Sequence, residues 1–382
     1  MSEVSLPKPK RLLFLDLFRG IFALIMLEGH TLRAFLSPAA QSTALFHYHE
    51  LIHNLPGPAF LFASGAAFSI ATCGARWESY HRWSERLGWR VARLAGLAAL
   101  GYALHLSHFS LNRTIDESTP EQLVFLFSLN ILQCIAFSAL LLQLMVMIVP
   151  NEGWFLRGTA VLAILIGIAT PIAWEISREL PWWVGTNFAS HWNSIFPLFP
   201  YAGFQMAGAA WGCLLVRARR EEREPSFIDR SRRVSLWLVA GSVGAAVLPM
   251  PEIYADFWHT GPAFFFLRAS LLSWIALTLR KMEIRARVPW AGVVLLGRES
   301  LIVYAAHMVL MYGSAWNPDK NLLKVFGSPL PVAQAFLILV LLTGSMLVLS
   351  WVWNRMRQQK NWLAKAAPWS LAGYLAFRFV VA

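Results

Sequence analysis

The run Arg11–Phe35, RLLFLDLFRGIFALIMLEGHTLRAF, carries Asp16, Arg19, Glu28 and His30 inside an otherwise apolar stretch. About twenty apolar residues make one helical crossing of a bilayer, so the run predicts a membrane helix. Ionisable groups in such a segment are costly, which makes each of the four a candidate for function or for pairing with another helix. Arg19 and His30 are eleven positions apart. At about 100° per residue they share one face, about 16 Å apart along the axis. Glu28 points the other way. Asp16 lies one turn before Arg19 and reads as its orienting partner.

The rest of the chain repeats the apolar pattern. It is 57% hydrophobic and 14% charged, with a mean hydropathy of +0.50, against about 25% charged in a soluble domain. The expected fold is an all-α, polytopic bundle. Helices are predicted near 12–35, 55–75, 91–110, 127–149, 158–175, 197–216, 234–250, 261–279, 291–311 and 329–352, with 368–382 as a candidate eleventh. No polar block is long enough for a second domain, so residues 12–382 read as one membrane domain behind a short N-terminal tail, 1–11.

Orientation follows from the basic residues, which collect on the cytosolic side of a bilayer. With the N-terminus in the cytosol, the inner connections hold 24 Lys and Arg and the outer ones 5. The net charge of +12 is thereby accounted for by orientation and lipid contact, and nucleic acid is not an expected partner. Nine of the ten histidines then fall in or near the outer half, His81 being the exception, which implies a polar mouth on that side. Trp182, Trp183, Trp192 and Trp258 share it, suiting either an interfacial belt or stacking on a sugar ring.

Several chemistries lack support. Cys73, Cys134 and Cys213 have no pair spacing and read as structural thiols. His47, His49 and His53 fall in what reads as a Pro/Gly-flanked loop without thiolate partners, so no metal is expected. A P-loop and a GxSxG elbow are absent.

The gap between Arg19 and His30 is close to the length of the pantetheine arm of coenzyme A. An arginine fork suits nucleotide phosphates. A neutral histidine beside the thioester could take a proton from an incoming hydroxyl or amine, or accept the acyl group itself. Arg298 is a second candidate for the phosphates, with a snorkelling anchor as the equal alternative. Arg268, mid-span in FFFLRASLL, needs a partner, for which Glu28 and Asp16 are the candidates. Ser300, Tyr304 and His307 fall at i, i+4 and i+7, a polar stripe that should face the interior as a structural network or as part of an acceptor site.

Leu15-Asp16-Leu17-Phe18-Arg19-Gly20 followed by His30 resembles the Arg-x10-His signature of the transmembrane acyltransferase superfamily. That superfamily includes the acyltransferase 3 proteins and the heparan-alpha-glucosaminide N-acetyltransferase-like proteins. Pro58–Gly65, Phe196–Gly203 and Phe257–Pro262 resemble further blocks of it, and Leu296–Leu301 with Tyr304 and His307 resembles its late GRxSLxxYxxH block. The resemblance implies a membrane enzyme that moves an acyl group, typically acetyl, from cytosolic acyl-CoA to an extracytosolic carbohydrate. Arg19 would contact coenzyme A, and His30 would be catalytic. In the heparan branch the catalytic histidine instead lies in the loop after the first helix, a place His47 or His49 could take. The implied partners are the bilayer, acyl-CoA and a glycan, with a homo-oligomer also compatible, and the implied location is a bacterial cytoplasmic membrane. A transporter using the same charged cavity is the rival reading, but no internal repeat supports it.

Overall fold

The computed structural model describes residues 12–74, 76–249, 251–254, 256–287, 290–359 and 362–381. The expected tail 1–11 lies outside them. Among the described residues the fold is helical throughout, and a helix stands at every predicted segment. These are α1 (Leu13–Phe35), α2 (Ala44–His53), α3 (Pro56–Thr72), α4 (Glu85–His105), α5 (Ile131–Ile148), α6 (Glu152–Arg178), α7 (Leu198–Arg220) and α8 (Glu224–Ala245). They are followed by α9 (Pro262–Ile284), α10 (Ala291–Arg298), α11 (Ser300–Tyr312), α12 (Val332–Gln358) and α13 (Trp362–Val381).

Among the described residues, five spans pass a strict test of length and hydropathy, one of them joining α2 and α3 as Ala44–Thr72. A sixth passes if α10 and α11 are counted together. Others, such as α1 with Asp16, Arg19, Glu28 and Arg33, carry too much charge; of these Asp16 is buried, Arg19 and Glu28 are partly buried, and Arg33 is exposed and paired with Glu50. The outward faces are apolar instead. On α6, Val161, Ile164, Leu165, Ile168, Ile172 and Ile176 are exposed at helical spacing, as on a surface that faces lipid. This is an integral membrane protein.

The single helix expected near 291–311 is divided in two by the structure. α10 and α11 meet at an 81° bend, with the break at Glu299. Glu299 is buried and pairs with Arg357 of α12, so the bend is held by an ion pair across helices.

Two features fix the frame around α1. At its start, Glu283 of α9 accepts from the backbone amides of Leu13 (2.7 Å) and Phe14 (3.3 Å). A carboxylate there satisfies orphan donors and faces the positive end of the helix dipole. Arg280 in turn bridges Glu283 at 2.6 Å and Glu224 of α8 at 2.7 Å. Behind α1, the helices α3 and α7 touch backbone to backbone. A Cβ on Gly65 would fall 1.9 Å from the Gln205 carbonyl oxygen, and one on Gly208 2.0 Å from that of Phe62. Small residues are how membrane helices approach this closely.

Candidate functional site

The charged face of α1 resolves into two groups. Near its start, Asp16 is 1% exposed and accepts from Arg19 at 2.8 Å, the pairing expected for it. Its other oxygen lies 3.8 Å from Arg298 Nε. Arg298 reaches this point because α10 lies directly on α1. A Cβ on Gly297 would fall 1.7 Å from the Asp16 carbonyl oxygen, and one on Gly20 1.9 Å from that of Val293. One buried carboxylate is therefore shared by two guanidiniums, with Arg19 and Arg298 each about a quarter exposed. Such a pair can offer forked donors to a phosphate.

Three turns along α1, His30 lines a cavity of about 730 Å³ together with Met26, Arg33, His53, His105, Asn130, Tyr201, Tyr304 and Tyr312. The α1 lining residues Met26, Gly29, His30 and Arg33 form one stripe, on which Arg19 also falls. The cavity stops at Met26. Arg19 lies about 10 Å further along the axis, beyond the buried Phe22 and Ala23.

His30 Nδ1 lies 2.9 Å from Nε2 of the fully buried His307. His307 Nδ1 lies 2.9 Å from the Val303 carbonyl oxygen, which can only accept. His307 therefore carries its proton on Nδ1, and in the neutral ring its Nε2 is a lone pair. That lone pair accepts from His30 Nδ1–H, leaving His30 Nε2 as the basic atom at the cavity. The chain carbonyl to His307 to His30 sets a tautomer by geometry. Tyr304, the other buried member of the polar stripe, packs edge-on to His307 at 5.6 Å. Ser300 is half-buried at the bend and does not line the cavity.

These residues divide on either side of what the comparison with known families covers. The profile of the heparan-alpha-glucosaminide N-acetyltransferase catalytic domain matches residues 11–248. The chain belongs to this family. A search of curated proteins finds no match. Asp16, Arg19, Glu28, His30, His47 and His49 fall within the matched stretch, while Arg268, Arg298, Ser300, Tyr304 and His307 lie beyond it. The acetyltransferase family match and the outward-facing apolar helices together make this a membrane acetyltransferase by family.

Two expectations are corrected by the geometry. Arg268 reaches neither Glu28 nor Asp16. It is buried with its guanidinium 4.1 Å from the centre of the Phe264 ring and 5.1 Å from that of Phe204, and its Nε lies 3.4 Å from the Phe264 carbonyl oxygen. Aromatic faces, not a carboxylate, compensate this cation. The four tryptophans do not form one platform: Trp183 and Trp258 are exposed, Trp182 meets Phe127, and Trp192 donates to the Ser177 carbonyl oxygen at 3.3 Å. None lines the cavity, whose aromatic wall includes Phe196 and Tyr201. The expectation of structural thiols is not overturned: Cys73, Cys134 and Cys213 are free and buried, and Cys73 and Cys213, distant in sequence, come together with Glu152, their ligand atoms lying within 4.8 Å of one another.

The histidine segment differs most from its expected form. It is a helix, α2, capped by Thr43, whose hydroxyl accepts from the Phe46 amide at 3.3 Å. His47 is exposed on it and away from the cavity lining. His49 and His53 both turn to Glu28 of α1. The signal is present in the sequence, where His49-Glu50-Leu51-Ile52-His53 reads HExxH and puts both rings on one helix face; the expectation that the chain holds no HExxH and that this segment is a loop is wrong.

Proposed function

We propose that this protein transfers an acetyl group from cytosolic acetyl-CoA to a hydroxyl or amine of an extracytosolic carbohydrate, with His30 as the reacting base and Arg19 and Arg298 as the phosphate-binding pair. The observation that carries the reading is the His30–His307–Val303 relay at the wall of a cavity large enough for a sugar. In direct transfer, His30 Nε2 takes the acceptor proton as the acceptor oxygen or nitrogen forms its bond to the thioester carbon. The carbon–sulfur bond breaks, and the coenzyme A thiolate receives the proton from the imidazolium. In the acyl-histidine scheme the same Nε2 lone pair attacks the thioester first. Both schemes use one atom, and the relay presents it.

The donor runs along the α1 stripe from Arg19 to His30, a span matched in length by the pantetheine arm. The turn at Phe22 and Ala23 closes that path here, so donor binding must uncover it. The N-terminal, basic side of the bundle faces the cytosol in this reading. The membrane concerned is a bacterial cytoplasmic membrane.

Acetyl-CoA binding to detergent-purified protein, measured by calorimetry for wild type beside Arg19→Ala, tests the donor assignment. Saturable binding that weakens in the variant is the expected result. Wild-type protein that binds no acyl-CoA thioester would overturn it.

A further inference from the structure

The HExxH helix and α1 build a second arrangement that acetyl transfer does not use. His49 and His53 stand one turn apart on α2, with ring centres 3.9 Å apart. Each turns its Nε2 toward a different oxygen of one carboxylate. Glu28 Oε1 meets His49 Nε2, and Glu28 Oε2 lies 2.6 Å from His53 Nε2. One donor atom from each of the three residues lies within 4.8 Å of the other two.

His53 is 6% exposed. Its Nε2, although close to Glu28, makes no hydrogen bond. At 2.6 Å from Glu28 Oε2 but outside hydrogen-bond alignment, this buried nitrogen has its polar capacity unmet within the protein, and in the tautomer protonated on Nδ1 it offers a lone pair to a metal ion. The ring is accommodated by Gly29, where a Cβ would fall 1.9 Å from His53 Nδ1. The glutamate within the motif takes another role: Glu50 pairs with Arg33, and the third ligand comes from α1.

We infer that Glu28, His49 and His53 form a binding site for a divalent transition-metal ion of the zinc class, linking α1 to α2 beside the cavity. Two imidazoles and a carboxylate are the donor set such ions favour. Zn–N and Zn–O bonds of about 2.0–2.2 Å place tetrahedral ligands roughly 3.3–3.6 Å apart, within reach of small side-chain rotations from the present positions. Three protein ligands leave a fourth position for water or an oxygen of a bound molecule. His53 and Gly29 line the cavity, so the ion would sit at its wall. This site is independent of whether the protein acylates anything.

Full-length protein purified without a polyhistidine tag, stripped with chelator and titrated with Zn²⁺ and Co²⁺, tests the inference. Wild type should bind one ion and give the visible bands of four-coordinate Co²⁺. His49→Ala, His53→Ala and the nearly isosteric Glu28→Gln should each weaken binding by more than roughly 100-fold, beyond the 10- to 100-fold typical of losing a mere supporting partner. His47→Ala and the double variant Cys73→Ser/Cys213→Ser should retain it. Absence of saturable binding by wild type would overturn the inference without any variant. So would binding that survives Glu28→Gln or disappears in the cysteine double variant. Acetyl-CoA binding measured on the same stripped protein keeps the two readings separate: loss of metal binding alone sinks only this one.

Discussion

His30 of α1 and His307 of α11 share a hydrogen bond of 2.9 Å although 277 positions separate them in the chain. The bond requires the bend at Glu299, which sets α11 at 81° to α10 and so brings His307 against α1 while Arg298, on the other limb, reaches Asp16. Both proposed halves of the reaction thus depend on one break in one helix. In the proposed reaction His307 acts through His30, as a positioning residue.

His30→Ala should abolish acetyl transfer while leaving acetyl-CoA binding intact, whereas His47→Ala, altering an exposed ring, should retain activity. Turnover and donor binding measured on the same preparations decide between these histidines. Wild-type turnover in His30→Ala would remove the catalytic assignment.

His307→Leu should lower kcat roughly 10- to 100-fold, the usual consequence of losing the partner that fixes an imidazole's tautomer, with acceptor KM little changed. His307→Gln keeps a carbonyl able to accept from His30 Nδ1–H and should recover much of the loss. A purely structural role for His307 would give no such rescue.

Arg19→Ala and Arg298→Ala should each weaken acetyl-CoA binding by about 1.5–3 kcal/mol, the value of a hydrogen bond to a charged group, or roughly 10- to 150-fold in Kd. Because both guanidiniums share Asp16, the double variant should be less than additive. Titration calorimetry with acetyl-CoA and with dephospho-acetyl-CoA reads both effects.

Gly297→Ala should destabilise the protein at or beyond the upper end of the about 1–3 kcal/mol range for overpacking. The added carbon would fall 1.7 Å from backbone rather than from a movable side chain. A thermal melt in detergent, compared with Gly344→Ala, where a Cβ meets nothing within 4 Å, measures the difference.

Tyr304→Phe removes a hydroxyl from the cavity wall. Its expected effect is a rise in acceptor KM of about 2- to 10-fold, the worth of one neutral hydrogen bond of about 0.5–1.5 kcal/mol, with donor Kd unchanged. Steady-state kinetics at varied acceptor concentration check it.

What the sequence determined by itself was local and periodic. The apolar runs place the long membrane helices, because the bilayer length and the cost of exposed backbone leave few alternatives, but they reveal neither the helix α2 nor the break at Glu299. Helical spacing likewise puts Arg19 and His30 on one face, and Asp16 beside Arg19. Tertiary structure decided the partners. Arg268 rests on Phe264 and Phe204 rather than on a carboxylate, and no spacing encodes that choice because its neighbours are set by which helices pack around it. His307 became the orienter of His30, and Glu28 the companion of His49 and His53, only once helices far apart in sequence were packed. Periodicity says which way a side chain points along its own helix. What it meets there depends on the packing of the other helices.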